Sequence, residues 1–513
     1  MTQPAMSVPR GGGTSGPLRV AAVDLGATSG RVMAAEVGPD LLRLTEVHRF
    51  GNGAVPVRGS LVWDVVGIHR EVIAGLRQVA IGGRLDGIGI DSWAVDYGLL
   101  DRDGELLGNP YSHRDARTAG VPERVAALVD PAEMYAVTGL QELPFNTVYQ
   151  LVAASGTAEL ESAQTLLLLP DLLAYWLTGE VGAERTNAST TGLYDVTSGT
   201  WAVDLAKRLS LPWAILPPLR DPGSMIGPVL PEVAREIGQA ADEPGVPVIA
   251  VGSHDTASAI VGVPAASTSF AYVSSGTWSL VGLELDRPVL TEDARRANFT
   301  NEGGVDGTIR FLKNVMGLWV LSESVRSWAT QGLTADLPTL LSAAAHAAPL
   351  RTVLDIDDPS LLTPATAVDP MPDRLRALAR RAGEPVPESP GEVVRTILDS
   401  LALAYRRHVR RACELAGQDV DVIHIVGGGS QNALLCQLTA DACGLPVLAG
   451  PAEAAALGNA LVQARSLCRR EGGDDLSDLT AMRALVRRTH DVVRYDPRAG
   501  LDWDGAVRRL GKV

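Results

Sequence analysis

LRVAAVDLGATSGRVMAAEV, residues 18–37, holds two apolar runs of strand length separated by Gly26-Ala27-Thr28-Ser29-Gly30. This pattern predicts a hairpin whose tip is built from small and hydroxyl-bearing residues. At such a tip backbone N–H groups approach phosphate oxygens with no Cβ in the way, Thr28 and Ser29 add hydroxyls, and Arg31 adds charge. Asp24 closes the first run, where a carboxylate can hold a metal ion through water. For this stretch alone, a tight turn with no chemical role is the competing reading.

A second stretch of the same kind, SFAYVSSGTWSLVGLEL at residues 269–285, repeats strand, turn and strand around Gly276 and Thr277. Two such turns suggest two similar halves facing each other, since a triphosphate pinned between them needs donors from both sides. Length agrees: 513 residues exceed what one core usually supports, so two domains of about 250 residues are expected. We place the N-terminal domain at residues 18–262 and the C-terminal domain at 267–490, with a flexible tail at 1–17 and an extension at 491–513.

Between the two turns the pattern reads as an α/β unit. LDGIGIDSWAVDYGLLD (85–101) sets two apolar runs around a short polar turn, TLLLLP (165–170) reads as a strand, and VPVIAV (246–251) leads into GSHDTASAI (252–260). A charged residue after a strand, followed by small residues opening a helix, is where open α/β sheets place their chemistry. In the second half, Val394, Leu398, Leu401, Tyr405 and Val409 recur at three- and four-residue steps and predict a long amphipathic helix. VIHIV then leads through GGGSQN (427–432) into a helix closed by Gly444, and another helix opens near Glu453. Residues 355–390, rich in Pro and Asp, read as an exposed insertion.

Composition excludes several classes. A formal charge of −15 leaves no basic field to recruit nucleic acid or an anionic membrane, so any bound phosphate needs local help. Only Lys207, Lys313 and Lys512 accompany the many arginines. Cys413, Cys436, Cys443 and Cys468 lack paired metal-ligand spacing and read as thiols in a reducing compartment. The first 18 residues show no apolar core of signal-peptide length, and no run approaches a membrane span, so a cytoplasmic chain is expected.

GGGSQN resembles a dinucleotide fingerprint only weakly, because the glycine spacing differs and LPVLA ends without an acid. Its glycines instead allow a flat base or sugar to lie on the backbone. Ser253-His254-Asp255 is no hydrolase relay, since adjacent residues on an extended chain point to opposite sides. Asp255 is the stronger candidate for chemistry, and His254 reads as a polar wall residue.

Taken in order, DLGATSGR, GIDSWAVDYGLLD, HRDART, LPFNTVYQL, LPDLLAYWLTGE, GSHDTASA, SSGTWSL, TNEGG, LKNVMGLW and IVGGGSQN resemble the FGGY family of carbohydrate kinases from about residue 20 to about 465. The resemblance implies two ribonuclease-H-like (actin-like) domains around a cleft, ATP as donor, Mg²⁺, and phosphorylation of a sugar hydroxyl. Within the family the likeness runs to members that phosphorylate O1 of L-rhamnulose. It implies Asp255 as base, with Ala94, His254, Thr256 and Asn314 on the sugar. Ala27 to Arg31 and Thr277 are implied at the phosphates, with Gly428 and Ser322 at the nucleotide. Two departures affect fine specificity: Ala94 stands where glycine is usual, and Ser322 where a longer glutamine is frequent. The alternatives are a kinase for another ketose, such as L-fuculose or D-xylulose, and a non-catalytic sensor of ATP and sugar. A monomer or homodimer is expected.

Overall fold

The structure is a computed structural model that describes residues 16–240, 245–333, 336–470, 473 and 476–511. Most of the expected tail lies outside the described residues.

Two sheets dominate. The first contains β1 (Leu18–Leu25), β2 (Ser29–Gly38), β3 (Leu41–Gly51), β4 (Gly87–Ser92), β5 (Met225–Pro228) and β6 (Pro247–Ile249), in spatial order β5-β6-β4-β1-β2-β3. The second contains β7 (Phe270–Ser275), β8 (Ser279–Leu285), β9 (Thr300–Gly303), β10 (Ile309–Val315), β11 (Val422–Val426), β12 (Val447–Ala449) and β13 (Val493–Tyr495), in order β9-β10-β8-β7-β11-β12-β13. Five strands of each repeat one plan. A central strand, β1 or β7, pairs antiparallel with the next strand, which pairs antiparallel with the third. On its other side it pairs parallel with a fourth strand, which pairs parallel with a fifth. The two turns expected from the sequence thus occupy matching places in a repeated topology.

Burial explains the apolar runs. In β1, Ala21, Val23 and Leu25 pack with Val72 and Leu76 of α1 (Val65–Ile81), whereas Val20 on the opposite face packs with Leu457 and Leu461 of α6 (Ala454–Arg470). A strand covered on both faces reads as continuous apolar sequence. In the second sheet Ala271, Val273, Val281 and Phe311 pack on Val393, Ile397, Leu401 and Tyr405 of α4 (Pro390–Ala416). The five periodic residues of that helix are all buried. A capping box of Ser389 and Glu392 opens it, and Gly417 closes it at φ 64.

Two helices lie between the sheets. Ala259 and Ile260 of α2 (Asp255–Val261) pack on Phe270 and Tyr272 of the second sheet, while α6, the last long helix in sequence, covers the first. They approach so closely that a Cβ on Gly458 would stand 1.8 Å from the Ser258 carbonyl oxygen.

Three expectations change. Residues 355–390 are built in: Leu361, Met371, Leu375 and Leu378 are buried in the main core, because the helix Met371–Ala382 presents an apolar face to it. The two runs of 85–101 join different sheets. β4 pairs with β1, while Tyr97–Leu100 pairs with Thr165–Leu168, since the chain turns sharply at Val95. The expected extension supplies β13 and a helix, Trp503–Leu510, whose Trp503 enters the core. Among the described residues no helix is long and apolar enough to cross a membrane.

Candidate active site

Three strand ends in the first sheet carry the acids. Asp24 of β1 sits beside Asp91 of β4 in parallel register, and just beyond β6 His254 bridges to Ser92, which places Asp255 next in line. A buried carboxylate, Glu184, fixes that last segment by accepting from Ser253 N at 2.9 Å and Ser253 Oγ at 2.8 Å. The second sheet contributes the 274–278 turn, Glu302, Asn314 and Gly427-Gly428.

These groups surround one cavity of about 460 Å³. Of the residues expected at a site, Asp24, Ala27, Thr28, Ser29, Arg31, Ala94, His254, Asp255, Thr256, Thr277, Asn314 and Gly428 line it. Gly30 and Ser322 do not. Gly30 serves packing, since a Cβ there would stand 2.2 Å from the Phe50 ring. Ser322 is exposed on α3 (Trp319–Thr330), outside the cavity.

At the end nearer the 26–29 turn, Arg31 Nη2 donates to Asp24 Oδ2 at 2.6 Å and its other nitrogen donates to Glu453, just before α6. Burial pushes the Asp24 carboxyl up to about 6; the nearby Asp255 and Glu453 charges add to this, against the downward pull of Arg31. Burial also pushes Asp91 well above the usual range, helped by Asp24. Asn459 Nδ2 donates to Asp91 Oδ2 at 2.6 Å, and Asp91 Oδ1 has no partner among the described residues. Such crowded carboxylates facing one arginine suit a hard cation with oxygen ligands. Among the described residues no three His, Cys, Asp or Glu side chains are grouped to hold a metal by themselves. An ion at Asp24 would complete its shell from water and phosphate oxygens.

The opposite wall is aromatic and rigid. Asp96 Oδ2 accepts from Trp63 Nε1 at 2.7 Å and Trp93 Nε1 at 2.9 Å and meets His113 Nδ1 at 2.8 Å, while Oδ1 accepts from Gln150 at 3.1 Å. Burial pushes the Asp96 carboxyl up, but His113 and the two indoles outweigh it and hold the group below its usual range. Val95 is held at φ 70, a conformation unfavourable for a β-branched residue, and its carbonyl accepts from Thr147 Oγ1 at 2.7 Å. Gln141 Oε1 accepts from both N and Nδ2 of Asn314 at 3.1 Å, which leaves Asn314 Oδ1 and the Gln141 amide nitrogen for a ligand.

Asp96→Ala takes the acceptor from two buried indole N–H groups, Trp63 and Trp93, and from half-buried His113 Nδ1, and we expect a loss of about 3–5 kcal/mol in unfolding free energy, measured by denaturant titration. A carboxylate held below its usual range stabilises the fold above the unfolded pKa and stops doing so as pH falls through the folded one. The gap between wild type and Asp96→Asn therefore narrows in acid.

The sequence motifs gave no role to Trp93, His113, Gln141, Asp91, Glu302 or Glu453. Only Asp91 carried a usable signal, an acid ending an apolar run as Asp24 does.

Residues 20–262 match the N-terminal domain, and residues 271–467 the C-terminal domain, of the FGGY family of carbohydrate kinases. The rhamnulokinase of Bacteroides thetaiotaomicron is 40% identical over 488 residues, covering 94% of this chain and 97% of that protein. That of Pectobacterium atrosepticum is 43% identical over 496 residues, covering 96% and 95%. Among solved structures, gluconate kinase from Lactobacillus acidophilus aligns with a TM-score of 0.77 at 17% identity, covering 97% of this chain and 96% of its own. Xylulose kinase from Rhodospirillum rubrum aligns at 0.76 and 21% identity, covering 96% and 98%.

Proposed function

The chain belongs to the FGGY family of carbohydrate kinases, and we propose from that premise that it transfers the γ-phosphate of ATP to O1 of L-rhamnulose, giving L-rhamnulose 1-phosphate and ADP. One observation carries the reading: a single cavity holds Asp255 together with both Gly/Ser/Thr turns and the wall of Trp93, His113 and Asn314. The relatives named rhamnulokinase, similar over nearly the whole chain, support this choice of sugar.

In this reading Asp255 accepts the O1 proton as the bond from O1 to phosphorus forms and the bond from phosphorus to the ADP oxygen breaks. A sugar alcohol is too weak an acid to yield its proton to a carboxylate before the attack begins. Phosphoryl transfer passes through a loose transition state, so alignment and charge stabilisation supply most of the rate. The turns at 26–29 and 274–278 bring N–H and hydroxyl donors to the phosphates, and Gly428 gives the adenosine a flat seat. Asp24 would hold Mg²⁺, which when bound screens the phosphate charge that this acidic chain otherwise repels. The Ala94 methyl sits on the sugar side and narrows it.

An ATP-consumption assay over L-rhamnulose, L-fuculose and D-xylulose, with the phosphorylated position read by ³¹P NMR, tests the reading. We expect the highest kcat/KM for L-rhamnulose and phosphate on O1. A higher value for another ketose overturns the sugar assignment, and sugar binding without ADP formation favours a sensor.

Asp24 adds a pH expectation. Below about 6 its carboxyl takes up a proton, which removes the charge that Arg31 and a cation both need. The kcat/KM for ATP should fall as pH drops through that value, and Asp24→Asn should be low and flat. Stability runs the other way: a carboxyl with a raised folded pKa costs folding free energy once ionised, so acidification from about 6 towards the ordinary aspartate value of 3.8 relieves that cost.

A further inference from the structure

Behind the sugar side of the cavity lies a buried charge cluster to which the proposed chemistry gives no part. Arg310 of β10 is fully buried, Glu302 of β9 is nearly so, and both face His254 from the opposite sheet. Arg310 Nη2 lies 3.1 Å from His254 Nδ1, and Glu302 Oε2 lies 3.3 Å from the same nitrogen. Arg310 Nη1 is paired with Glu302 at 3.1 Å, and Arg310 Nε donates to the Gly303 carbonyl at 2.9 Å. On the cavity side, His254 Nε2 is 3.6 Å from Asp255 Oδ1. The His254 backbone N–H donates to Thr186 Oγ1 at 3.3 Å, which fixes the ring's origin.

The two groups make opposite demands on Nδ1. A guanidinium can only donate, so hydrogen bonding from Arg310 requires a lone pair on Nδ1; Glu302 can only accept, so it would require a proton there. The Arg310 contact satisfies hydrogen-bond geometry, and Glu302 is already neutralised by Arg310. Neither Glu302 Oε2 nor Arg310 Nη1 has a well-formed hydrogen bond among the described residues, so their attraction is chiefly electrostatic. Such a pair is a costly way to fill a core, because burying two charges rarely stabilises more than apolar residues of the same volume. Its position against His254 gives it a use.

We propose that Arg310 and Glu302 are positioning residues that keep the His254 proton on Nε2, so that the ring presents a hydrogen-bond donor to a sugar oxygen beside Asp255. The proposal rests on the reading of this cavity as a sugar site. His254 then does not compete with Asp255 for the reacting proton, since its cavity-facing nitrogen already carries one. The ring belongs to the first sheet and its partners to the second, so the tautomer is set across the junction between the halves.

The test compares Arg310→Met, Glu302→Gln and wild type as full chains carrying ¹⁵N-histidine, at about pH 8, with the charged and the two neutral ring forms told apart by their ¹⁵N shifts. His254 resonances are assigned by loss of signal in His254→Gln. We expect the Nε2–H tautomer in wild type and in Glu302→Gln. In Arg310→Met, Glu302 becomes the only charged neighbour of Nδ1, and the proton moves to Nδ1. The loss of one donor to the sugar should then raise the sugar KM about 5- to 30-fold, with the KM for ATP unchanged. An Nδ1–H tautomer in wild type, or an unmoved tautomer in Arg310→Met, overturns the proposal. Should Arg310→Met fail to fold, the wild-type and Glu302→Gln spectra still decide. The tautomer readout needs no substrate, so it stands or falls separately from the sugar assignment.

Discussion

Asparagine at position 255 lowers kcat by roughly 10²- to 10⁴-fold and leaves ATP affinity nearly unchanged. The substitution keeps an oxygen where Thr256 Oγ1 now donates to Asp255 Oδ1 at 3.0 Å, so the side chain retains its place at the head of α2. What it removes is the capacity to take a proton as O1 attacks. The side chain is 32% exposed to the cavity, so the loss of charge costs the fold little. ATP affinity survives because the expected nucleotide contacts, at Thr28, Ser29, Thr277 and Gly428, are made by other segments. A second signature accompanies the first: the Asp255 charge helps to push Asp24 up, so the acid limb of the residual activity should move to lower pH. Turnover near wild type would remove Asp255 from the chemistry, whereas lost ATP binding would recast it as a structural residue.

How much of this was legible in the chain depends on whether a signal was local. Both turns, their strands and the long helix α4 were readable, because strand alternation, turn chemistry and helical period are written in consecutive residues. Asp24 and Asp255 could be singled out for the same reason, each being a charge set among apolar or small neighbours. The aromatic wall could not. Trp63, Trp93, His113 and Gln150 meet on Asp96 from separate segments, and nothing in their spacing predicts a shared carboxylate. Ser322 carried the opposite kind of signal. Its expected place came from a resemblance at a position where the residue had changed, and the structure leaves the shorter side chain on an exposed helix face. Residues 355–390 misled because proline and aspartate suggest a loop, which outweighed the helical spacing of Met371, Leu375 and Leu378; these three, with Ile356 and Leu361, anchor the segment in the core.

Gly458→Ala should combine a loss of stability with a loss of rate. A Cβ at 458 would lie 1.8 Å from the Ser258 carbonyl oxygen and 2.7 Å from its carbon, both backbone atoms of α2. No side chain can swing aside to admit it, so α2 or α6 must shift as a body. Overpacking of this kind costs about 1–3 kcal/mol, and a contact between two backbones falls at the upper end. Neither helix moves without consequence for the site, because α2 begins at Asp255, and α6 carries Asn459, bonded to Asp91, and Gln463, whose Nε2 donates to the Ala21 carbonyl at 3.0 Å. We therefore expect kcat to fall in the fraction that remains folded, with the sugar KM rising as Asp255 leaves its line with the phosphate. Gly53→Ala, where a Cβ meets no atom within 4 Å, serves as the control and should leave the unfolding free energy unaltered. Denaturant titration measures the first effect and single-turnover kinetics the second. A Gly458→Ala protein that unfolds and turns over like wild type would mean that α2 and α6 do not meet this closely, and that the two acids at the strand ends are not held in place by the helices between the sheets.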